Sequence, residues 1–175
     1  MSNNTERVAI VTGGSGGIGR ASAQRLSDDG IAVVVHYNGN RDSADETVRA
    51  VTERGGRALA VGGDIADEAA ATALFDAALT AFGGVDVLVH TAGIMPLSPI
   101  AQLDLDVFDR VQRVNVRGTF VVDKLAAQRL RPGGAIINFS TSITRLQAPA
   151  YGAYAASKGA VEAMTLILAR ELRGK

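Results

Sequence analysis

The sequence contains no cysteine, and its charges show no excess of either sign. The absence of cysteine excludes a disulfide framework, thiol catalysis and thiolate metal sites. The 18 basic residues balance the 18 acidic ones, which gives a formal net charge of zero. This balance argues against nucleic acid and anionic membranes as partners, because both normally bind a basic protein face.

Long hydrophobic runs are also missing. No apolar stretch approaches the roughly 18 residues of a membrane span, and the first seven residues, MSNNTER, lack the apolar centre of a signal peptide. We therefore expect a cytoplasmic protein with no membrane partner. The sequence does contain 47% hydrophobic residues and 20 glycines, which is an ordinary globular composition. Its length of 175 residues predicts a single domain, residues 1–175, with a real core.

Short β-branched segments alternate with longer amphipathic ones. The predicted strands are residues 8–11, 31–37, 57–61, 85–90 and 135–139. The predicted helices are residues 17–29, 43–54, 68–82, 103–130 (in one or two pieces) and 151–172. Near-continuous apolar strands joined by helices indicate a parallel sheet that is covered on both faces. With right-handed crossovers, the pattern predicts an α/β fold with a doubly wound, Rossmann-type sheet.

A glycine-rich segment, TGGSGGIG, joins the first predicted strand to the first predicted helix. Glycines let the backbone approach a pyrophosphate, and the N-terminus of the next helix offers free N–H groups and partial positive charge. The strand–loop–helix context predicts a dinucleotide site, although a glycine-rich turn without a ligand would look similar. The candidate cofactor-binding residues here are Gly13, Ser15, Gly17, Ile18 and Gly19.

The end of the second predicted strand favours NADP(H) over NAD(H). A carboxylate at this position would bind the ribose 2′-hydroxyl and repel a 2′-phosphate, but the segment HYNGNR has none before Asp42. Asn38 and Arg41 could hold the phosphate, since arginine suits that geometry. The alternative is that Arg41 is a solvated residue near the start of the second helix.

Tyr154 and Lys158 lie four residues apart on the last predicted helix, so they share one face. An ammonium beside a phenol stabilises the phenolate, and such a tyrosine can protonate a carbonyl oxygen or take a proton from an alcohol. The pair alone is weak, because a packed tyrosine beside a solvated lysine gives the same pattern.

Together, these motifs resemble the short-chain dehydrogenase/reductase family. Asp64 and Ile65 match its segment after the third strand, Asn115 matches its helix asparagine, and the HTAG segment matches its Asn-Asn-Ala-Gly motif at Ala92 and Gly93. The resemblance implies an oxidoreductase of the 3-oxoacyl/carbonyl reductase type. Such an enzyme transfers a hydride between NADP(H) and a carbonyl or secondary alcohol substrate.

The resemblance also implies roles for individual residues. Tyr154 would be the acid/base, Lys158 would bind the nicotinamide ribose, and Asn115 would order a water in a proton relay. A hydroxyl after the fifth strand would hold the substrate oxygen. Thr141, thirteen residues before Tyr154, has the usual spacing, and Ser142 is the nearest serine, so both are candidates.

Three further expectations follow from the resemblance. Asp64 would contact the adenine, and His90, in place of an asparagine, is expected to be a packed strand residue rather than an acid or base. The helices around Asn115 and Tyr154 would pair in a homodimer or homotetramer.

Relatives continue beyond the position of Lys175, so the resemblance implies that C-terminal strands are missing here. An alternative function is therefore a truncated, non-catalytic relative that binds a nucleotide at most. A third possibility is that another polypeptide supplies the missing strands.

Overall fold

The computed structural model of the protein describes residues 6–175. Most of the polar N-terminal segment that we judged unlike a signal peptide, residues 1–5, lies outside the described residues. Five strands form one parallel sheet in the order β3-β2-β1-β4-β5. They are β1 (Val8–Thr12), β2 (Ala32–Tyr37), β3 (Ala58–Gly62), β4 (Val87–His90) and β5 (Ala135–Asn138).

Helices connect the strands and cover both faces of the sheet. They are α1 (Gly17–Asp28), α2 (Arg41–Thr52), α3 (Glu68–Phe82), α4 (Leu105–Val111), α5 (Gly118–Arg129), α6 (Ile143–Leu146) and α7 (Gly152–Glu171). A 3-10 turn (Ile100–Gln102) precedes α4, and a π-helical segment (Gln112–Arg117) joins α4 to α5. The predicted Rossmann-type fold is confirmed. Among residues 6–175, no helix is both long enough and apolar enough to cross a membrane.

The central strand β1 is buried along its whole length. Ile10 packs in one cluster with Leu74 and Phe75 of α3, whereas Val11 packs in the opposite cluster with Ala23 of α1. Because successive side chains of a strand point to opposite faces, both sets must be apolar when helices cover both sides. This arrangement explains why the strand reads as a continuous apolar run.

Local capping shifts several helix ends from the predicted positions. The predicted second helix starts two residues earlier, at Arg41, because the Asn40 side chain accepts a hydrogen bond from Ser43 N at 3.0 Å. The long predicted helical region starts at Leu105, where the Asp104 side chain caps the helix. The single-turn helix α6 was not predicted, because one turn contains too few residues to show a helical period.

The strand β5 forms one edge of the sheet. Ala135 and Ile137 are exposed, and a groove of about 640 Å³ lies beside the strand, between α5 and α7. Gly133 N donates to Lys175 O at 3.2 Å, so the described chain ends near the start of β5. The sixth strand implied by the resemblance stays a prediction, and this edge is where it would pair.

Candidate active site

The glycine loop between β1 and α1 is held by close backbone contacts. Gly13 has a positive φ of 66°, and Gly16 N donates to its carbonyl at 3.0 Å. A Cβ on Gly19 would lie 2.8 Å from Gly14 Cα and closer still to Gly13 O. A Cβ on Gly17, in contrast, would meet no described heavy atom within 4 Å. The fold therefore requires glycine at position 19, whereas position 17 leaves space in front of the helix.

A groove of about 570 Å³ opens at the carboxyl ends of the strands, directly over this loop. It brings together ten of the predicted cofactor-binding residues from separate parts of the chain: Gly13, Ser15, Gly17, Ile18, Gly19, Asn38, Asp64, Ile65, Ala92 and Gly93. The remaining lining residues, which we did not predict, are Gly16, His36, Thr91, Ile94 and Val114. Gly16, His36, Thr91 and Ile94 could have been suspected, because ligands of parallel sheets bind beyond the carboxyl ends of the strands. Val114 lies in the π-helical segment, so that rule does not identify it.

Arg41 is the predicted phosphate-binding residue that the structure places apart from the groove lining. It is the first residue of α2, its side chain is 74% exposed, and its Nε lies 3.3 Å from Asp45 Oδ2. Asn38 does line the groove. The polar side chain that the structure brings to the end of β2 is therefore Asn38, together with His36.

His36 fixes the start of the glycine loop. Its Nε2 donates to Gly63 O at 2.9 Å, so its Nδ1 is the acceptor for Gly13 N at 3.4 Å. Burial lowers the pKa of His36, which agrees with a neutral ring. The imidazole thus joins β1, β2 and the loop after β3 on one side of the groove.

Asp64 is held by neighbours on both carboxylate oxygens. Oδ1 accepts from Ala66 N at 2.9 Å, and Oδ2 accepts from Arg113 Nη2 at 2.6 Å. Arg113 belongs to the π-helical segment, so this ion pair joins the side of the groove at Asp64 to the helix that carries Asn115. A contact between Asp64 and adenine stays a prediction.

Asn115 is buried between the groove and α7, with 1% of its surface exposed. Its Oδ1 accepts from Ile94 N at 2.8 Å, and its Nδ2 donates to Ile94 O at 2.9 Å and to Ser157 Oγ at 3.0 Å. The π-helical turn around Asn115 departs from regular α-helix at this point of contact, as π-bulges often do at functional sites. The amide therefore links Ile94, which lines the groove, to the helix that carries Tyr154 and Lys158.

The Tyr154–Lys158 pair lies near Gly93, which lines the groove. Lys158 is 8% exposed, and its Nζ lies 5.9 Å from the centroid of the Tyr154 ring. The same Nζ donates to Phe139 O at 2.7 Å and would lie 3.9 Å from a Cβ placed on Gly93. Burial lowers the pKa of Lys158. Since Gly93 lines the groove, the ammonium adjoins both the groove and the phenol.

The two candidate hydroxyls follow β5. Thr141 Oγ1 accepts from Ile143 N at 3.3 Å, and Ser142 is exposed at the start of α6. An unpredicted residue, Glu162, holds this loop: its Oε1 accepts from Thr144 Oγ1 at 3.1 Å and also from Ser140 Oγ. Its position four residues after Lys158 was the available signal, since residues at that spacing share a helix face.

The parallel sheet, the glycine loop and a Tyr–Lys pair next to the groove define a dehydrogenase-type Rossmann protein. Comparison with known proteins gives the family, because the family model for short chain dehydrogenase matches residues 7–175. The chain therefore belongs to the short-chain dehydrogenase/reductase family, as the motifs predicted.

Three relatives illustrate the similarity. A short-chain type dehydrogenase/reductase of Picea abies is 42% identical over 178 residues, which cover 96% of this chain and 66% of the relative. An "NADPH-dependent aldehyde reductase-like protein, chloroplastic" of Arabidopsis thaliana is also 42% identical, with 96% and 67% covered. The crystal structure of a Burkholderia cenocepacia J2315 short chain dehydrogenase in complex with NADP is 40% identical, with a TM-score of 0.90 and 98% and 72% covered. The chain thus spans about two thirds of the length of these curated relatives.

Proposed function

We propose that the protein is an oxidoreductase that transfers a hydride between NADP(H) and a carbonyl or secondary alcohol substrate, with Tyr154 as acid/base. The observation that carries this proposal is the position of Lys158 next to the groove lining, although neither Lys158 nor Tyr154 lines the groove itself. Gly93 lines the groove and also adjoins Lys158 Nζ, which in turn lies 5.9 Å from the Tyr154 ring. The proposal treats the chain as one dinucleotide-binding domain.

The residues around the loop fit a dinucleotide pyrophosphate. The first N–H groups of α1 have no acceptor within the helix, and their partial positive charge favours an anion. Gly17 leaves the space before them open, and Gly19 allows the close turn of Gly13 beneath it. When bound at this groove, the nicotinamide of the cofactor supplies or takes the hydride.

The protein's own residues would handle the proton. Tyr154 O–H would protonate the forming alkoxide, or its phenolate would take the alcohol proton in the reverse direction. The Lys158 ammonium lies 5.9 Å from the centroid of the Tyr154 ring. One of its three N–H groups donates to Phe139 O, so the other two can bind ribose hydroxyls. A hydroxyl of Thr141 or Ser142 would hold the substrate oxygen.

Asn115 would order the water of the proton relay through one of its two oxygens. Both ends of its side-chain amide are engaged by Ile94 and Ser157. Its carbonyl oxygen accepts from Thr119 Oγ1 at 2.6 Å, and a carbonyl oxygen has a second lone pair. Oδ1 likewise accepts one described hydrogen bond, from Ile94 N, so either oxygen of Asn115 is a candidate for the relay contact.

NADP(H) is favoured over NAD(H) by the groove and supported by two relatives. Asn38 lines the groove where an NAD-selecting carboxylate would stand. The pair between Arg41 and Asp45 is exposed, and such i,i+4 pairs contribute only about 0.3–0.5 kcal/mol, so Arg41 can turn toward a 2′-phosphate at small cost. The Arabidopsis relative is named as NADPH-dependent, and the Burkholderia relative was crystallised in complex with NADP.

A substitution of Tyr154 tests the proposal. Tyr154→Phe should lower NADPH-dependent ketone reduction by at least about 10²-fold, because a positioned acid/base contributes about 10²–10⁴ in rate, while NADPH binding persists. The matched control is Tyr151→Phe, since residue 155 is alanine and Tyr151 has no lysine one turn later. Activity in Tyr154→Phe above a few per cent of wild type contradicts the assignment.

A second candidate function is a relative that binds a nucleotide at most. The observation that favours it is the open edge of β5, where the resemblance places a further strand. NADPH binding without turnover of ketones, 3-oxoacyl thioesters, quinones or sugars by the wild-type chain would support this second function. Turnover of any of them would support the first.

We also propose a homodimer or homotetramer. Phe120, 59% exposed on α5, and Met164 of α7 lie in one apolar patch with Val116. Phe120→Glu should lower the mass measured by light scattering to that of the monomer. An unchanged oligomer would place the interface elsewhere.

A further inference from the structure

A chain of hydrogen bonds through His90 crosses the interior beneath the groove. His90 is the last residue of β4 and is 3% exposed. Its Nδ1 lies 2.7 Å from Thr12 Oγ1, and its Nε2 lies 3.0 Å from Thr119 Oγ1. Thr12 directly precedes Gly13 of the glycine loop, and Thr119 lies one helical turn after Asn115. The imidazole therefore contacts both the cofactor loop and the helix of the proposed proton relay.

The atoms at the two ends of the chain determine the direction of each hydrogen bond. Thr119 Oγ1 lies 2.6 Å from Asn115 O, which can only accept, so the hydroxyl proton of Thr119 is used there. Thr119 must then accept from His90 Nε2–H, which leaves Nδ1 as an acceptor for the Thr12 hydroxyl. Thr12 Oγ1 in turn accepts from Ala92 N at 3.3 Å. Every donor in the chain thus has an acceptor.

This arrangement is suited to positioning rather than to acid/base chemistry. Both ring nitrogens are used, and protonation of Nδ1 would set a donor against the donating Thr12 hydroxyl. This series of hydrogen bonds begins at the main-chain N–H of Ala92 and ends at the main-chain carbonyl of Asn115. Neither group releases or accepts a proton at ordinary pH. The hydrogen bonds can therefore pass a displacement from one end to the other, but they cannot pass a proton.

We propose that His90 is a positioning residue that couples the glycine loop to the main-chain carbonyl of Asn115. An imidazole presents its acceptor and its donor on well-separated ring positions, so it can bridge β1 and α5 at once. A shift of the loop when a phosphate binds would move Thr12, and through His90 and Thr119 it would act on Asn115 O. The proposal rests on the proposed function for the identity of the ligand, but the coupling can be measured without turnover.

The tautomer of His90 is the first test. The chain has two histidines, so a long-range ¹H–¹⁵N spectrum of the imidazoles shows two rings, and His90→Asn assigns them. We expect a neutral His90 with the proton on Nε2 in the ligand-free protein near neutral pH. A proton on Nδ1, or a charged ring, would overturn the proposed directions of the hydrogen bonds and with them the coupling.

A double-mutant cycle is the second test, with NADPH affinity as the readout. Thr12→Val and Thr119→Val each remove one hydroxyl of the chain while they keep the side-chain shape. Each should weaken NADPH binding about three- to tenfold, the effect of a neutral hydrogen bond, and the double variant should be no weaker than the poorer single variant. Thr165→Val, in the groove beside β5, is the matched control and should bind like wild type.

The outcomes separate this proposal from the proposed function. Wild-type affinity in a folded Thr119→Val variant, or strictly additive losses, would refute the coupling while the cofactor assignment stands. If the wild-type protein does not bind NADPH, the cofactor assignment fails, and hydrogen exchange of the Thr119 amide in the ligand-free protein becomes the readout. Faster exchange in Thr12→Val, but not in Thr165→Val, supports the coupling, and unchanged exchange refutes it.

Discussion

The buried His90 should make the folded protein sensitive to acid in a way that one substitution removes. Burial lowers the pKa of His90 from 6.5 to about 3, and the charges of Lys158 and His36 act in the same direction. The unfolded chain therefore binds a proton more readily than the folded one between these two values. Folding stability must fall as the pH falls through this window.

The magnitude follows from proton linkage. Each pKa unit corresponds to about 1.4 kcal/mol, so the titration of His90 should cost wild type about 2.7 kcal/mol of unfolding free energy between about pH 7.5 and about pH 4.5. His90→Asn lacks this titration. The variant is expected to be less stable near neutral pH, because the bridge to Thr12 and Thr119 is lost, but to lose less stability on acidification.

Asp123 provides a control of opposite sign. Burial raises the pKa of Asp123 from 3.8 to about 6, against the hydrogen bond from Asn138. The folded form then binds the proton more readily, so stability rises by about 2 kcal/mol as the pH falls over the same range and is lost as the pH rises through the folded pKa. In wild type the two groups largely offset each other. On acidification over this range, Asp123→Asn should therefore lose about 2 kcal/mol more stability than wild type, and His90→Asn about 2.7 kcal/mol less.

Urea unfolding followed by far-UV circular dichroism measures these differences at each pH. The decisive quantity is the change in the stability difference between variant and wild type over the pH range, which cancels the contributions of all other groups. Parallel curves for wild type and His90→Asn would show that the imidazole titrates equally in both states. That result would refute the buried, neutral His90 on which the reasoning depends.

Three further substitutions probe the loops. Gly19→Ala should lower stability by about 1–3 kcal/mol, because its Cβ would meet the backbone of Gly13 and Gly14. Gly17→Ala should instead keep the fold and lose NADPH affinity. Equal melting temperatures for the two variants would contradict this difference. Glu162→Gln should speed tryptic cleavage after Arg145 about fivefold, because it replaces charge-assisted hydrogen bonds to Ser140 and Thr144 by neutral ones, and an unchanged rate would show that Glu162 does not hold the loop.

The sequence predicted the groove well because its residues follow strands. Parallel strands bring their carboxyl ends to one edge of a sheet, so Gly13, Asn38, Asp64 and Gly93 had to meet once the strands were found. No side-chain detail was needed for that inference. His36 lies at the same edge and could have been included by the same rule.

The sequence predicted the π-helical segment and the position of Arg41 less well. The turn at Gln112–Arg117 accompanies contacts of Asn115 with Ile94 and Ser157, which are distant in the chain, so no local period revealed it. The predicted second helix began at residue 43, so Arg41 lay outside it. Once α2 is known to begin at Arg41, the i,i+4 spacing predicts the pair between Arg41 and Asp45.

The two histidines share a feature that bears on the choice of the acid/base. His36 lies on one side of β1 and His90 on the other, and each donates through Nε2 and accepts through Nδ1. Together they hold Thr12 and Gly13 at the start of the glycine loop from both sides. Because all four ring nitrogens are engaged and both rings are buried, neither histidine is free to exchange a proton with a substrate. The proton donor of the proposed reaction must then be another group, and this supports the proposal that Tyr154, whose ring centroid lies 5.9 Å from Lys158 Nζ, is that group.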